Sequence, residues 1–382
     1  MIYLDNAATT LPKPRQVYEA VLDCMENYGA NPGRAGHKLA MRAGREIYEC
    51  RENIAKLLNV SNPMSIVFTH NATDSLNLAI KGVVKSGDHI ITTSIEHNSV
   101  IRPIKALEKN GVENTIVKCD KYGHLDPNDI KKAIKPNTKL IVTTHASNVC
   151  GTIVDIESVG NIAKENNILY LVDASQTLGV YDIDVQKINV DMIAAPGHKC
   201  LLGPQGTGML YIRDGLEVNI LKEGGTGSNS EDLFQPNMMP DRYESGTHNT
   251  PGIAGLNAGV KFILETGIDK IRKHEEELCE YMLTKLTEVP NIKIYGPLDS
   301  KKRAAVISIN IGDIDSGEIT FILDDMYEIA TRSGIHCSPL AHKTLGTLRQ
   351  GTVRFSLGYF NTKDDIDKAV EALKEIEKEI NM

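Results

Sequence analysis

Between about residue 40 and residue 215, short apolar runs alternate with stretches of helical periodicity. The runs are Ile66–Phe68, His89–Thr93, Leu140–Thr144, Ile168–Asp173, Met192–Ala195 and Met209–Ile212. β-runs separated by helices predict βαβ units, an α/β fold and a sheet buried on both faces. Several runs end in polar residues where a parallel sheet presents its carboxyl edge: Thr69-His70-Asn71, Glu96-His97-Asn98, His145-Ala146-Ser147-Asn148 and Asp173. That edge is where open α/β sheets take their ligands. Beyond Gly252 the pattern changes, and a charged helical stretch around Asp269–Val289 leads to β-runs at Ala304–Ile311 and Thr352–Ser356. This predicts a second, smaller α+β unit. In the last segment Ile366, Val370, Leu373, Ile376 and Ile380 recur at spacings of three and four. They predict an amphipathic closing helix with Thr362 as its N-cap.

Composition narrows the function classes. A chain of 382 residues exceeds what a single core usually supports, which favours two units. A net charge of −8 without long basic runs leaves no electrostatic footprint for nucleic acid or an anionic membrane surface. No apolar run approaches the roughly 18 residues of a spanning helix. The start, Met-Ile-Tyr-Leu-Asp-Asn, lacks the basic and apolar stretches of a signal peptide, so a cytoplasmic protein is expected. The 7 cysteines are widely spread with no Cys-x-x-Cys pair, which argues against a disulfide framework or a clustered zinc site and leaves at least one thiol free or paired between chains.

The strongest local feature is Pro196-Gly197-His198-Lys199, which follows an apolar run and precedes Gly203, Gly206 and Gly208. A lysine at a strand end among glycines can be held close to a ligand with little steric obstruction. A solvated loop lysine is the plain alternative, and no P-loop spacing is present. Asp173 ends the apolar run Ile168–Val172 and would be costly to bury without a cationic partner. A protonated pyridine nitrogen is such a partner; an N-cap for the turn beginning at Ala174 explains the residue equally well. Asn71 and Thr73 precede the helical stretch Asp74–Val84, an arrangement that suits either a phosphate at a helix N-terminus or plain capping.

Over essentially its whole length the chain resembles the class V aminotransferases, fold-type I enzymes that use pyridoxal 5'-phosphate (PLP). The matching segments are Tyr3-Leu4-Asp5-Asn6-Ala7-Ala8-Thr9-Thr10, Glu96-His97-Asn98, Asp173-Ala174-Ser175-Gln176, Gly197-His198-Lys199 and Glu244–Thr250. The resemblance implies a large domain over residues 14–252 with a mainly parallel seven-stranded sheet between helices. It further implies a small α+β domain of residues 1–13 and 253–382 that carries a cysteine loop. By the same resemblance Lys199 holds PLP as a Schiff base and moves protons, and Asp173 keeps the pyridine nitrogen protonated, making the ring an electron sink. Gln176 bonds the ring oxygen, His97 stacks on the ring, and Thr73 and His198 hold the phosphate, joined by Thr247 of a partner chain in a homodimer. Ala72 and Pro196 stand where the family commonly has phosphate-binding hydroxyls, which predicts fewer donors in this cup.

The segment Arg332-Ser333-Gly334-Ile335-His336-Cys337, with Arg354 downstream, resembles the short Arg-x-Gly-x-His-Cys loop of cysteine desulfurases and selenocysteine lyases. It implies a small-molecule substrate, L-cysteine or L-selenocysteine, whose sulfur passes to Cys337 while alanine is released. His336 and a nearby arginine would favour the thiolate. Arg354 would clamp the substrate carboxylate in bidentate fashion. Asn148 and His37 are further contacts near the substrate, and Asn148 also touches the cofactor. A sulfur-acceptor protein is the expected next partner. Other readings stay open: an aminotransferase or carbon–sulfur lyase in which Cys337 is a bystander, or a PLP-binding sulfur-carrier scaffold. For Cys337 itself the plain alternative is a small buried hydrophobe. Metal binding through Cys337 and His342 lacks further ligands at suitable spacing. Cys150 and Cys200 read as packing residues.

Overall fold

The computed structural model describes residues 1–32 and 36–380, the side chain of Ile380 excepted. The strands are β1 Ile2–Tyr3, β2 Ile66–Thr69, β3 His89–Thr93, β4 Glu113–Val117, β5 Thr138–Thr144, β6 Leu169–Asp173, β7 Met192–Pro196, β8 Gly208–Ile212, β9 Ile292–Tyr295, β10 Val306–Ile311, β11 Ile329–Ala330 and β12 Val353–Ser356. The helices are α1 Arg15–Asp23, α2 Lys38–Leu57, α3 Ala72–Val83, α4 Asn98–Glu108, α5 Pro127–Lys132, α6 Ile156–Glu165, α7 Thr250–Thr266, α8 Ile268–Leu286, α9 Ser316–Tyr327, α10 Pro339–Leu345 and α11 Lys363–Ile380.

Seven strands form the main sheet in the order β2-β8-β7-β6-β5-β3-β4. Its pairings are parallel except along β8, which runs antiparallel to both β2 and β7. The apolar runs of the sequence become these strands because both faces are covered. Ile66, Phe68, Ile141, Tyr170, Val172 and Ile193 enter one core; Val67, Leu140, Val142, Leu171, Met192 and Ala194 enter the core on the opposite face. Alternate residues of one strand thus point into two apolar layers, so apolar residues stand at successive positions and no apolar–polar alternation appears. Strand β4, which the apolar pattern does not reveal, is an edge strand whose Glu113 is exposed.

A three-stranded antiparallel sheet, β12-β10-β9, carries a separate core with Leu278, Met282, Ile307, Ile309, Phe355, Ile366, Val370, Leu373 and Ile376. The closing helix therefore buries Ile366, Val370, Leu373 and Ile376 of the face its spacing predicts, the side chain of Ile380 lying outside the described residues, and Thr362 Oγ1 accepts a bond from Asp365 N, as an N-cap does. Strand β1 pairs with β11, so the first residues join this smaller unit, with Leu4 in its core. The expected boundary after residue 252 falls in the first turn of α7, a helix whose Ile253, Leu256, Val260 and Ile263 pack into the core under the large sheet. No helix among the described residues is long and apolar enough to cross a membrane.

Candidate active site

Seven candidate side chains of the large unit follow the carboxyl ends of sheet strands. Thr73 lies in the first turn of α3 after β2, His97 caps α4 after β3, and Asn148 follows β5. Asp173 is the last residue of β6, Gln176 sits in the turn behind it, and His198 and Lys199 follow β7. Parallel strands aim these ends in one direction, and all seven side chains line one open cleft.

The turn bearing Lys199 depends on Gly197, because a Cβ there would stand 2.1 Å from Thr207 Oγ1. Backbone bonds from Gly197 N to Thr207 O (2.8 Å) and from Leu202 N to Lys199 O (2.8 Å) fix its path. The Lys199 ammonium makes no hydrogen bond among the described residues; burial, reinforced by the charge of Arg354, lowers its pKa to about 8. The amine is therefore still mostly protonated at pH 7, with about a tenth of it free, and loses its proton far more readily than an ordinary lysine.

Asp173 is buried, and burial raises the pKa of its carboxyl. Its Oδ1 accepts Ser175 N at 3.0 Å, so the capping role expected for this aspartate is real; Oδ2 has no hydrogen bond among the described residues and remains for a ligand. Gln176 Nε2 donates to Ala7 O at 3.1 Å, anchoring the cleft floor to the N-terminal segment. His97 Nδ1 accepts Ser99 N at 3.1 Å, which places any ring proton on Nε2. Burial, then the charges of Lys199, Arg332 and Arg354, push His97 down to about 4, so the ring is neutral. His198 is likewise held near 4 by burial and by Lys199, and its Nδ1 is buried without a partner. Thr73 Oγ1 lies 2.7 Å from Ser99 Oγ at the start of α3, whose first N–H groups point to this end of the cleft. A free amine, a buried carboxylate with an unpaired oxygen, an unpaired imidazole nitrogen and hydroxyls at a helix N-terminus fit a group with an aldehyde, a basic ring nitrogen and a phosphate.

Cys337 is exposed, unlike the six other free cysteines, so it is not a buried hydrophobe. It lines a groove next to the cleft, and Thr73, His97 and Ser99 line both. Arg332 Nη2 stands 3.8 Å from its Sγ. His336, expected as a second cation beside the thiol, is instead buried and bonded to Thr352 Oγ1 at 2.9 Å, and burial drives it down to about 2. Arg332 is therefore the cation beside the sulfur, with Arg102 and Lys81 further along the same groove.

Residues 2–369 match the profile of the aminotransferase class-V family. The chain belongs to this family. It is 37% identical to a Methanothermobacter thermautotrophicus protein named "Probable cysteine desulfurase", over 98% of this chain and 94% of that one. It is 34% identical to "Cysteine desulfurase IscS" of Dictyoglomus turgidum, over 98% of this chain and 94% of the relative. The fold superposes on the apo structure of a cysteine desulfurase from Thermococcus onnurineus NA1 with a TM-score of 0.93 at 35% identity, covering 99% of this chain and 94% of that one.

Besides Cys337 in the adjoining groove, three candidates of this class-V chain lie outside the cleft. Thr247 is exposed and lines a separate depression; its segment is anchored by Glu244, buried against Arg51 and bonded from Phe68 N. Arg354 is 1% exposed and sits behind Asn148, with Nη1 donating to Asn148 O at 3.0 Å, Nη2 to Asp5 Oδ1 at 2.6 Å, and Nε unpaired. His37 is an exposed N-cap of α2, its Nδ1 accepting Ala40 N at 3.2 Å. Ser99 and Ser175 line the cleft although the sequence did not single them out. Both follow a matched residue by two positions, and they bring hydroxyls to a wall where Ala72 and Pro196 have none.

Proposed function

We propose that this chain is a PLP-dependent cysteine desulfurase that converts L-cysteine to L-alanine and takes the sulfur on Cys337. The observation that carries this reading is an exposed thiol, next to Arg332, in a groove continuous with the cleft of Lys199 and Asp173. Bound PLP would supply an electron sink for negative charge at the substrate's α-carbon. Lys199 would hold the cofactor and carry the α-proton. Asp173 Oδ2 would face the ring nitrogen, Gln176 the ring oxygen and His97 the ring face; Asn148 would touch both cofactor and substrate. Thr73 and His198 would hold the phosphate. Arg354 would pair with the substrate carboxylate. Cys337 would attack the substrate sulfur: the carbon–sulfur bond breaks, a sulfur–sulfur bond forms, and the carbon takes a proton, giving alanine and a Cys337 persulfide.

The same reading makes the enzyme a homodimer. Thr247 is exposed, does not reach the cleft of its own chain, and sits on a segment held rigidly by the Arg51–Glu244 pair, which suits a donor to the phosphate of a second copy. The persulfide would then pass to a sulfur-acceptor protein. The test is to add L-cysteine, and separately L-selenocysteine, to the PLP-loaded protein, measure alanine, and weigh the peptide containing Cys337. Alanine together with a gain of one sulfur on that peptide is expected from L-cysteine. Pyruvate or a keto acid without alanine would point to a lyase or an aminotransferase.

A further inference from the structure

Cys337 sits on a strained stretch of backbone. His336 and Cys337 both have left-handed φ, 47° and 58°, which residues with a Cβ adopt only where their surroundings hold them. Beside the His336 Nε2–Thr352 Oγ1 bond and a backbone bond from Ser338 N to Ile335 O, one amide holds them from both sides. Asn148 Nδ2 donates to His336 O at 2.8 Å, and Asn148 Oδ1 accepts from Ser338 Oγ at 2.8 Å. The orientation of the amide is fixed chemically, because a carbonyl oxygen can only accept; Ser338 must therefore donate. The residues on either side of the thiol are thus bonded to a single side chain, and Cys337 O accepts Asn98 N at 2.8 Å.

Ser338 is the N-cap of α10, ahead of Pro339, a position where a serine hydroxyl normally accepts from the helix's own first N–H groups. It makes no such bond, and it is fully buried. Its hydroxyl is given to Asn148 instead. The backbone oxygen of Asn148 holds Arg354, and its side chain lines the cleft.

We propose that the Ser338–Asn148 pair is a positioning device that ties the substrate-carboxylate end of the cleft to the sulfur-receiving thiol. Ser338 is a positioning residue for sulfur transfer and has no part in the steps at the α-carbon. The inference rests on the desulfurase reading and adds to it the reason why a short, exposed loop keeps its thiol in one place.

The test uses the PLP-loaded dimer carrying Ser338→Ala. Binding of L-alanine, read from the cofactor's visible spectrum, and exchange of the alanine α-hydrogen with D2O are expected to stay within about twofold of the parent, since neither needs the thiol. Single-turnover gain of sulfur on Cys337 from L-cysteine is expected to fall on the order of tenfold, the effect of one lost buried hydrogen bond. Deuterium uptake over residues 334–339 is expected to rise, and Ser338→Thr, which keeps the hydroxyl, to restore sulfur transfer. Parent-rate sulfur transfer in Ser338→Ala would overturn the proposal, as would an equal loss of transfer and α-hydrogen exchange. Cys337→Ser serves as the control for the underlying reading: if it forms alanine from L-cysteine at the parent rate, the thiol assignment fails, and the proposal with it.

Discussion

Asp5 Oδ1 stands 2.6 Å from Nη2 of Arg354, and among the described residues this carboxylate is the sole ion-pair partner of a guanidinium that is 1% exposed. The pair joins the N-terminal segment to β12. Breaking a buried pair by removing one partner leaves an uncompensated charge, so Asp5→Asn should destabilise the unliganded protein by about 3 kcal/mol. A ligand carboxylate would restore a counter-ion. Urea unfolding with and without L-alanine checks both points: the variant should have the lower midpoint and gain more from the ligand. Equal gains in both proteins would remove Arg354 from the carboxylate site.

Lys199 gives the cofactor-free protein a specific pH dependence. Its folded-state pKa of about 8 lies below the ordinary 10.5. Between these values the unfolded chain binds a proton that the folded chain refuses, so stability rises with pH across that window. Below about pH 8 both states are protonated and the penalty of burying the charge is fully present. Lys199→Met lacks this term. The urea midpoint of the parent, relative to the variant, should climb from pH 8 to pH 10; a constant difference would contradict the buried amine.

Cys337→Ser should separate the two halves of the chemistry. The visible spectrum of the loaded protein should still change on adding L-cysteine, because Lys199 and Asp173 are intact. Alanine formation should fall by about a thousandfold, since a serine hydroxyl is a far weaker nucleophile toward sulfur than a thiolate. Stopped-flow absorbance and an alanine assay on one sample decide it.

Thr247 is tested by subunit mixing. If it serves the neighbouring chain, a dimer of one Lys199→Ala chain and one Thr247→Val chain contains one intact site and one doubly defective site. Random reassortment of the two inactive variants should then restore about a quarter of parent activity. Without recovery, Thr247 does not act across the interface.

Much of this protein was legible in the sequence because a sheet covered on both faces leaves a local mark. Ile141, Leu171 and Ile193 have apolar neighbours on either side, so their strands appear as unbroken runs, and the polar residues ending those runs mark the ligand edge. Strand β4 left no such mark, since an edge strand is free to expose Glu113. Local context singled out Lys199 and Asp173, by a glycine-flanked turn and an apolar strand end, but left a solvated lysine and a capping aspartate open beside the ligand roles that the family resemblance implied. What depended on distant chain segments meeting was decided only by the tertiary structure. Nothing local to His336 says that packing buries it and makes it neutral, leaving Arg332 as the cation at the thiol. Nor does spacing reveal that Arg354 is paired with a residue 349 positions away, or that Asn148 reaches across 190 positions to hold Ser338. The strand runs record which faces each residue buries, a property of a few neighbouring positions. The electrostatics of the thiol and the bonds that place it arise from groups brought together by folding, and those the sequence lists without saying which will meet.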